Sequence, residues 1–356
     1  MQVCISHRTA LSYLLRVPNV ARGAGRISRA RAVPRACPSS QEVRRLRDAL
    51  EPYLPEGASK LDIVVSDRGR LHQTEDARVH LCTAELPSGS FVPDVAMGIG
   101  FHVSSPELVF LQMAEEVELD QLIYVGFALC SSFRLDDLEP GGCVQREGRD
   151  QPLTSVARIR SYLGRLPEGT RNVAIAKRAL EHVRDGARSP SESGIAMAVG
   201  LPVRLGGHSL GETRMNPEMR IYDGVDARGT ARWITRIPDI LVTARGRSGE
   251  VRRAGIDFDA NSTHSAPARA AADVERRNLI APDGRFAHFT LTSDDVSNYV
   301  AFRRAMDRIR RALGQREKPR LRGNRDSADS QRILADVWSC QFELWKRVLG
   351  ADRLRL

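Results

Sequence analysis

Lysine is nearly missing from this chain, with four against 50 arginines in 356 residues. Genome composition explains that imbalance as well as function does. Long apolar runs are missing too. No stretch of about 18 apolar residues exists, so no membrane span is expected. The cysteines, Cys4, Cys37, Cys82, Cys130, Cys143 and Cys340, are scattered, with no Cys-x-x-Cys and no Cys/His cluster. That spacing predicts neither a zinc site nor a disulfide framework, and it fits a reducing cytoplasm. The glycine-rich "GLPVRLGGHSLGE" (200–212) lacks the Gly-Lys-Ser/Thr ending of a phosphate-binding loop. It contains the pattern Gly-x-Ser-x-Gly at 207–211, but neither that match nor any Cys/His pair is persuasive as a nucleophile site.

What is present is positive charge. The formal net charge is +10 and the pI near 9.8, a balance that favours a polyanionic partner, nucleic acid above all. The charge is uneven. The first 41 residues hold seven arginines and no acid, and residues 303–325 hold ten Arg or Lys against two acids. Residues 1–40 are expected to be a basic, mobile leader. The same composition fits a targeting signal of transit-peptide type or a DNA-contacting arm. A second unit, 41–150, reads as a small mixed α/β domain: a helix (40–54), strands (60–66, 78–82, 99–105) and packed helices (105–133). Turn composition at 139–152 suggests a boundary. A third, 151–356, opens with helices at 154–166, 172–184 and after Ser189-Pro190. Strands follow at 218–223, 231–237, 239–244 and 253–259, then a helix at 266–280, a strand at 285–292 and helices at 293–313 and 329–350. The fold class implied is mixed α/β (α+β), with a mixed sheet flanked by helices.

The chemistry concentrates in "RIPDILVTARGRSGEVRRAGIDFDANSTHS" (236–265). Asp239 opens one strand. The two-residue strand period places Asp257 and Asp259 on one face of the next. If the strands pair as a hairpin, Asp239 and Asp257 lie nearly opposite. Like charges so placed weaken a sheet unless a cation sits between them. Mg²⁺ takes hard oxygen ligands, with one or two carboxylates and several waters. The Phe258 carbonyl is a further ligand candidate. Glu192 lies in the first turn of the preceding helix, and His264 follows the acids. Each residue has a plainer reading: strand-end turn acids, a helix acid placed for the dipole, a solvated loop histidine.

The order helix–strands–helix–strand, with Pro-Asp on one strand and acid-x-acid on the next, resembles the PD-(D/E)xK restriction-endonuclease-like superfamily, and within it the very-short-patch-repair type of domain. The likeness spans about residues 189–295. It aligns Glu192, Asp239 and Asp257/Asp259 with the acidic positions. It also aligns His264, then Asp273 with Arg276 or Arg277, with a His…Asp-x-x-Arg continuation. Asp259 stands where the superfamily has its lysine, Asp257 where Glu is common, and Ala260 where Gly is usual. The resemblance implies a Mg²⁺- or Mn²⁺-dependent DNA endonuclease. Asp239 and Asp257 would hold the metal, Glu192 would assist, and Asp259 or His264 would position water. Arg276, Arg277, Arg304, Arg308 and Arg311 would hold phosphates. Asp273 also suits a helical ion pair with Arg276 or Arg277. The alternative is a non-catalytic DNA-binding regulator on the same scaffold. "ISHRTALSYLL" and "VSSPELVFLQMA" resemble abortive-infection antitoxin-like regulators, which implies a toxin or other protein partner.

Overall fold

The computed structural model describes residues 3–18, 27–94, 97–146, 152–260, 285–317, 319, 321 and 326–350. The chain is mixed α/β and divides into two compact units, Met1–Asp185 and Gly186–Leu354. No described helix is long and apolar enough to cross a membrane.

The first unit is built on a five-stranded mixed sheet in the order β3-β2-β1-β5-β4. Its strands are β1 (Cys4–Ile5), β2 (Leu61–Val65), β3 (Ala77–Leu81), β4 (Phe91–Pro93) and β5 (His102–Ser104). The expected leader is therefore corrected over its described part. β1 is the central strand, antiparallel to β2 and parallel to β5. Helix α1 (His7–Arg16) follows it, with Cys4, Ile5, Leu14 and Leu15 fully buried. Its apolar residues outweigh its arginines: burying four such side chains contributes roughly 1.5–3 kcal/mol each. Arg16 keeps its charge at the edge of this core, beside Asp137 at 3.6 Å.

The short helix α2 (Arg29–Ala32) leads to α3 (Ser40–Leu50), capped by Ser39 in a reciprocal box with Glu42. Helices α4 (Pro106–Glu116) and α5 (Leu119–Leu129) pack on each other. Ser105 caps α4 and Pro106 takes its first position, as Pro-at-N1 chemistry requires. The expected boundary near 150 is also corrected. The turn-rich stretch belongs to a hairpin, β6 (Phe133–Leu135) with β7 (Cys143–Gln145). Just after it, Arg146 is 3% exposed and donates to the carbonyls of Phe133 (3.0 Å) and Leu14 (2.8 Å). Helices α6 (Val156–Gly164) and α7 (Val173–Leu180) then pack on α4 and α5, so the division falls at Asp185/Gly186.

Gly126 makes the α5 packing possible. A Cβ there would lie 2.5 Å from Val183 Cγ2 and 3.0 Å from Phe110 Cε2. Gly126→Ala is expected to destabilise this unit by about 1–3 kcal/mol, despite the better helix propensity of alanine, and denaturant unfolding measures it.

The second unit opens with α8 (Pro190–Gly200), capped by Ser189. A four-stranded sheet follows in the order β13-β12-β11-β8, comprising β8 (Glu212–Met215), β11 (Ile240–Arg245), β12 (Val251–Asp259) and β13 (Phe286–Thr292). β11 is antiparallel to β8 and to β12, and β13 runs parallel to β12. Between β8 and β11 the chain makes a separate two-stranded ribbon, β9 (Met219–Val225) with β10 (Ala231–Arg236). Met219 and Ile234 on one ribbon face pack on Leu241 and Phe286. Helices α9 (Ser293–Ser297), α10 (Tyr299–Ala312) and α11 (Ala328–Val348) complete the unit. Thr292 caps α9, because its hydroxyl accepts from Asp295 N–H. The expected helix 266–280, with His264, Asp273, Arg276 and Arg277, lies outside the described residues.

Candidate active site

The register Ile240↔Ile256 continues to set Asp239 across from Asp257, at the end of the β11–β12 pair. The two acids interlock with the backbone. Asp239 N–H donates to Asp257 Oδ1 at 3.2 Å, and Phe258 N–H donates to Asp239 Oδ2 at 2.8 Å. Pro238 fixes the chain's approach, and Ile240 beyond is buried and anchors the strand.

The other oxygen of Asp257 lies 3.0 Å from Nε2 of His288 on β13. His288 sits opposite Gly255 in the parallel register and reaches diagonally to Asp257. The missing side chain of Gly255 allows this. A Cβ there would approach His288 Cδ2 at 3.2 Å and Pro238 Cβ at 3.3 Å. Nδ1 of His288 is buried and has no hydrogen-bond partner among the described residues. With Nε2–H donating to the carboxylate, Nδ1 presents a bare lone pair.

Glu192 lies on the α8 side. Its carboxylate accepts from Arg188 N–H (2.9 Å), Ser189 Oγ (3.1 Å) and Asn216 Nδ2 (3.1 Å). Asn216 adopts a left-handed backbone, φ 45°, and its N–H donates to the Asp239 carbonyl at 2.9 Å. Asn216 thus ties the helix acid to the start of β11. Burial raises the pKa of Glu192 against the lowering effect of these bonds.

Asp239 carries the largest electrostatic strain of the group. Burial above all, then the charges of Glu192 and Asp257, push its carboxyl up to about 7, against the pull of the Phe258 N–H and Arg188. A buried carboxyl surrounded by acids is poorly stable as an anion, and a cation relieves that cost. Asp259 shares the strand face of Asp257 and is half-buried.

Among the predicted site residues, the structure brings Asp239, Asp257 and Glu192 into one neighbourhood, with Asp259 two residues further along β12. Glu192 stands as a charge neighbour of Asp239 whose oxygens are engaged in capping α8. Arg304, Arg308 and Arg311 are exposed along one face of α10, at i, i+4 and i+7. Arg308 lies 4.0 Å from Asp295, and Arg311 Nε donates to the Asp307 carbonyl at 3.2 Å. His288 and Asn216 were not anticipated. The alternation in "RFAHFTLT" carries the signal for His288, since it places His288 and Thr290 on one strand face, but only the register shows which acid it meets.

The ribbon presents a second feature. On the face turned away from Met219 and Ile234, Tyr222 and Trp233 oppose each other with centroids 5.6 Å apart. Arg220 lies over the Trp233 ring at 5.7 Å. Trp233 is 50% exposed and Tyr222 37%.

No protein-family model, curated protein or solved structure matches this chain.

Proposed function

We propose that the Gly186–Leu354 unit is a Mg²⁺- or Mn²⁺-dependent endonuclease that hydrolyses DNA phosphodiester bonds, on the PD-(D/E)xK plan. The observation that carries this reading is the opposed pair Asp239–Asp257 with the Asp239 carboxyl pushed up to about 7. Such a pair is costly as two anions and suited to one hard divalent ion. The element order supports it: a helix bearing Glu192, three antiparallel strands bearing Asp239 and Asp257, and a last strand parallel to the third.

The donors are hard oxygens, which fit Mg²⁺ or Mn²⁺. Asp239 and Asp257 would hold the ion, with the Phe258 carbonyl as a third ligand. When bound, the ion polarises a phosphoryl oxygen and lowers the pKa of a coordinated water. The chain's own groups do the rest. His288 fixes the orientation of Asp257. Asp259, in the place of the superfamily lysine, accepts a proton from the attacking water. Arg304, Arg308 and Arg311 hold backbone phosphates. The test is plasmid nicking in Mg²⁺, Mn²⁺ or EDTA, with nicking expected only with metal.

A second reading follows from one observation: Asp239 and Asp257 already each accept a main-chain N–H. Both acids then serve as strand-end fasteners in a DNA-binding regulator. That reading requires salt-sensitive binding unaffected by EDTA and no cleavage in any metal.

In either case the outward ribbon face is the expected contact for bases. Base–aromatic stacking is worth about 1–3 kcal/mol per base, so Trp233→Ala should weaken binding of single-stranded or nicked DNA by roughly 5- to 100-fold. Fluorescence anisotropy at fixed salt reads this directly.

A further inference from the structure

We propose that His7, His80 and Glu116, in the first unit, form a binding site for a divalent transition-metal ion of the zinc type. The site is independent of the nuclease reading. One ligand atom from each of the three lies within 4.8 Å of the others, and among the described residues no other set of three or more His, Cys, Asp or Glu gathers so closely. Tetrahedral ligands at about 2.0–2.1 Å from zinc stand roughly 3.4 Å apart. The three atoms therefore need to close by no more than roughly 1.5 Å.

Three elements supply the ligands. His7 is the first residue of α1, directly after β1; His80 is on β3; Glu116 ends α4. Separations of 73 and 36 residues explain why no sequence spacing announces the site. The imidazoles stack with centroids 3.6 Å apart and planes 16° off parallel. The stack brings ring nitrogens of both side chains beside the Glu116 carboxylate.

The surroundings orient the rings as the outer shell of a metal site does. Nδ1 of His7 is bonded to the buried Ser6 Oγ at 2.9 Å, which leaves Nε2 for the ion. Nε2 of His80 is bonded to Asp62 Oδ1 at 3.0 Å, which leaves Nδ1. Asp62 is itself 5% exposed, and its N–H is held by Thr9 Oγ1 at 2.7 Å. A carboxylate behind a histidine fixes the tautomer and raises ligand basicity. His7 also holds a left-handed backbone, φ 44°. In a non-glycine residue that conformation costs about 1–3 kcal/mol and concentrates at ligand sites. Arg8 and Arg78 each approach Glu116 Oε2 at 3.5 Å. Both are more than half exposed (54% and 53%), so these weak pairs yield the carboxylate at little cost. Two imidazoles and one carboxylate match the three-ligand set of open zinc sites, in which a fourth position takes water or a substrate oxygen.

The experiment is Zn²⁺ titration of the full chain by calorimetry, in excess Mg²⁺ so that hard-oxygen sites are filled. The expected result is one Zn²⁺ per chain, with affinity falling about 100-fold or more in His7→Ala and His80→Ala and about tenfold in Glu116→Gln and Asp62→Asn. Circular dichroism checks the fold of each variant. Should the histidine variants unfold, Glu116→Gln, on a partly exposed side chain, carries the test. Zn²⁺ uptake of unchanged affinity in the folded variants, or no saturable uptake by the wild-type chain, overturns the proposal.

Discussion

Asp239→Asn and Asp257→Asn are each expected to abolish metal-dependent nicking, by roughly 10²–10³-fold or more. Removing a ligand forfeits several kcal/mol of transition-state charge stabilisation, and each 1.36 kcal/mol is about tenfold in rate. Asparagine keeps the size of the side chain and an oxygen able to accept the N–H that each acid now holds. The loss would then report charge at the site and not collapse of the strand ends. The Asp239 carboxyl is pushed up to about 7, so on the proposed reading metal and proton would compete for it. The acid limb of the pH–rate profile should move to lower pH as Mg²⁺ is raised. His288→Ala, which frees Asp257 to rotate, should lower activity with a smaller effect than either Asp variant. Nicking that survives both Asp substitutions removes these residues from the chemistry.

Asp239→Asn is also expected to stabilise the metal-free protein at about pH 8. In the folded chain the carboxyl holds its proton up to about 7, whereas the unfolded chain releases it near the ordinary value of 3.8. Between those values the folded state binds more protons, so stability falls as pH rises through that window. The contribution of protonated Asp239 is complete below the lower value and gone above the upper one. Three pH units at 1.36 kcal/mol each set a ceiling of about 4 kcal/mol. Partial solvent contact reduces that to about 1–3 kcal/mol, or roughly 2–12 °C in Tm for a unit of this size. Melting curves of the two proteins should separate at about pH 8 and converge at about pH 4. Saturating Mg²⁺ should restore the wild-type Tm at the higher pH and leave Asp239→Asn unmoved. Equal melting temperatures at every pH would mean that Asp239 is not destabilised as an anion.

The pairing of Asp239 with Asp257 was legible because strand period and hairpin register follow from local pattern. Pro238 and the apolar runs after it and before Asp257 place both acids at strand ends without any tertiary information. His288 was not legible, because parallel pairing joins segments 31 residues apart, and the partner of a residue then depends on the crossover between them. The pattern at 218–223 and 231–237 predicts ordinary sheet strands. The ribbon's alternation is genuine, but one of its faces packs on Leu241 and Phe286 while the other bears Tyr222 and Trp233, and a single sequence does not say which sheet a strand joins. The N-terminal segment misled through composition. Seven arginines suggested a mobile arm, whereas "VCI" and "ALSYLL" supply the apolar groups that place β1 and α1 in the core. The His7–His80–Glu116 cluster escaped for a related reason: β1 pairs with β2, and β2 with β3, so the sheet brings together residues that no spacing rule connects.

The most direct test of the central claim is a crystal structure of the full chain soaked in Mn²⁺, with data recorded for anomalous scattering. The account predicts one peak about 2.0–2.3 Å from oxygens of both Asp239 and Asp257. A peak bound elsewhere, or none beside this pair at saturating Mn²⁺, contradicts it.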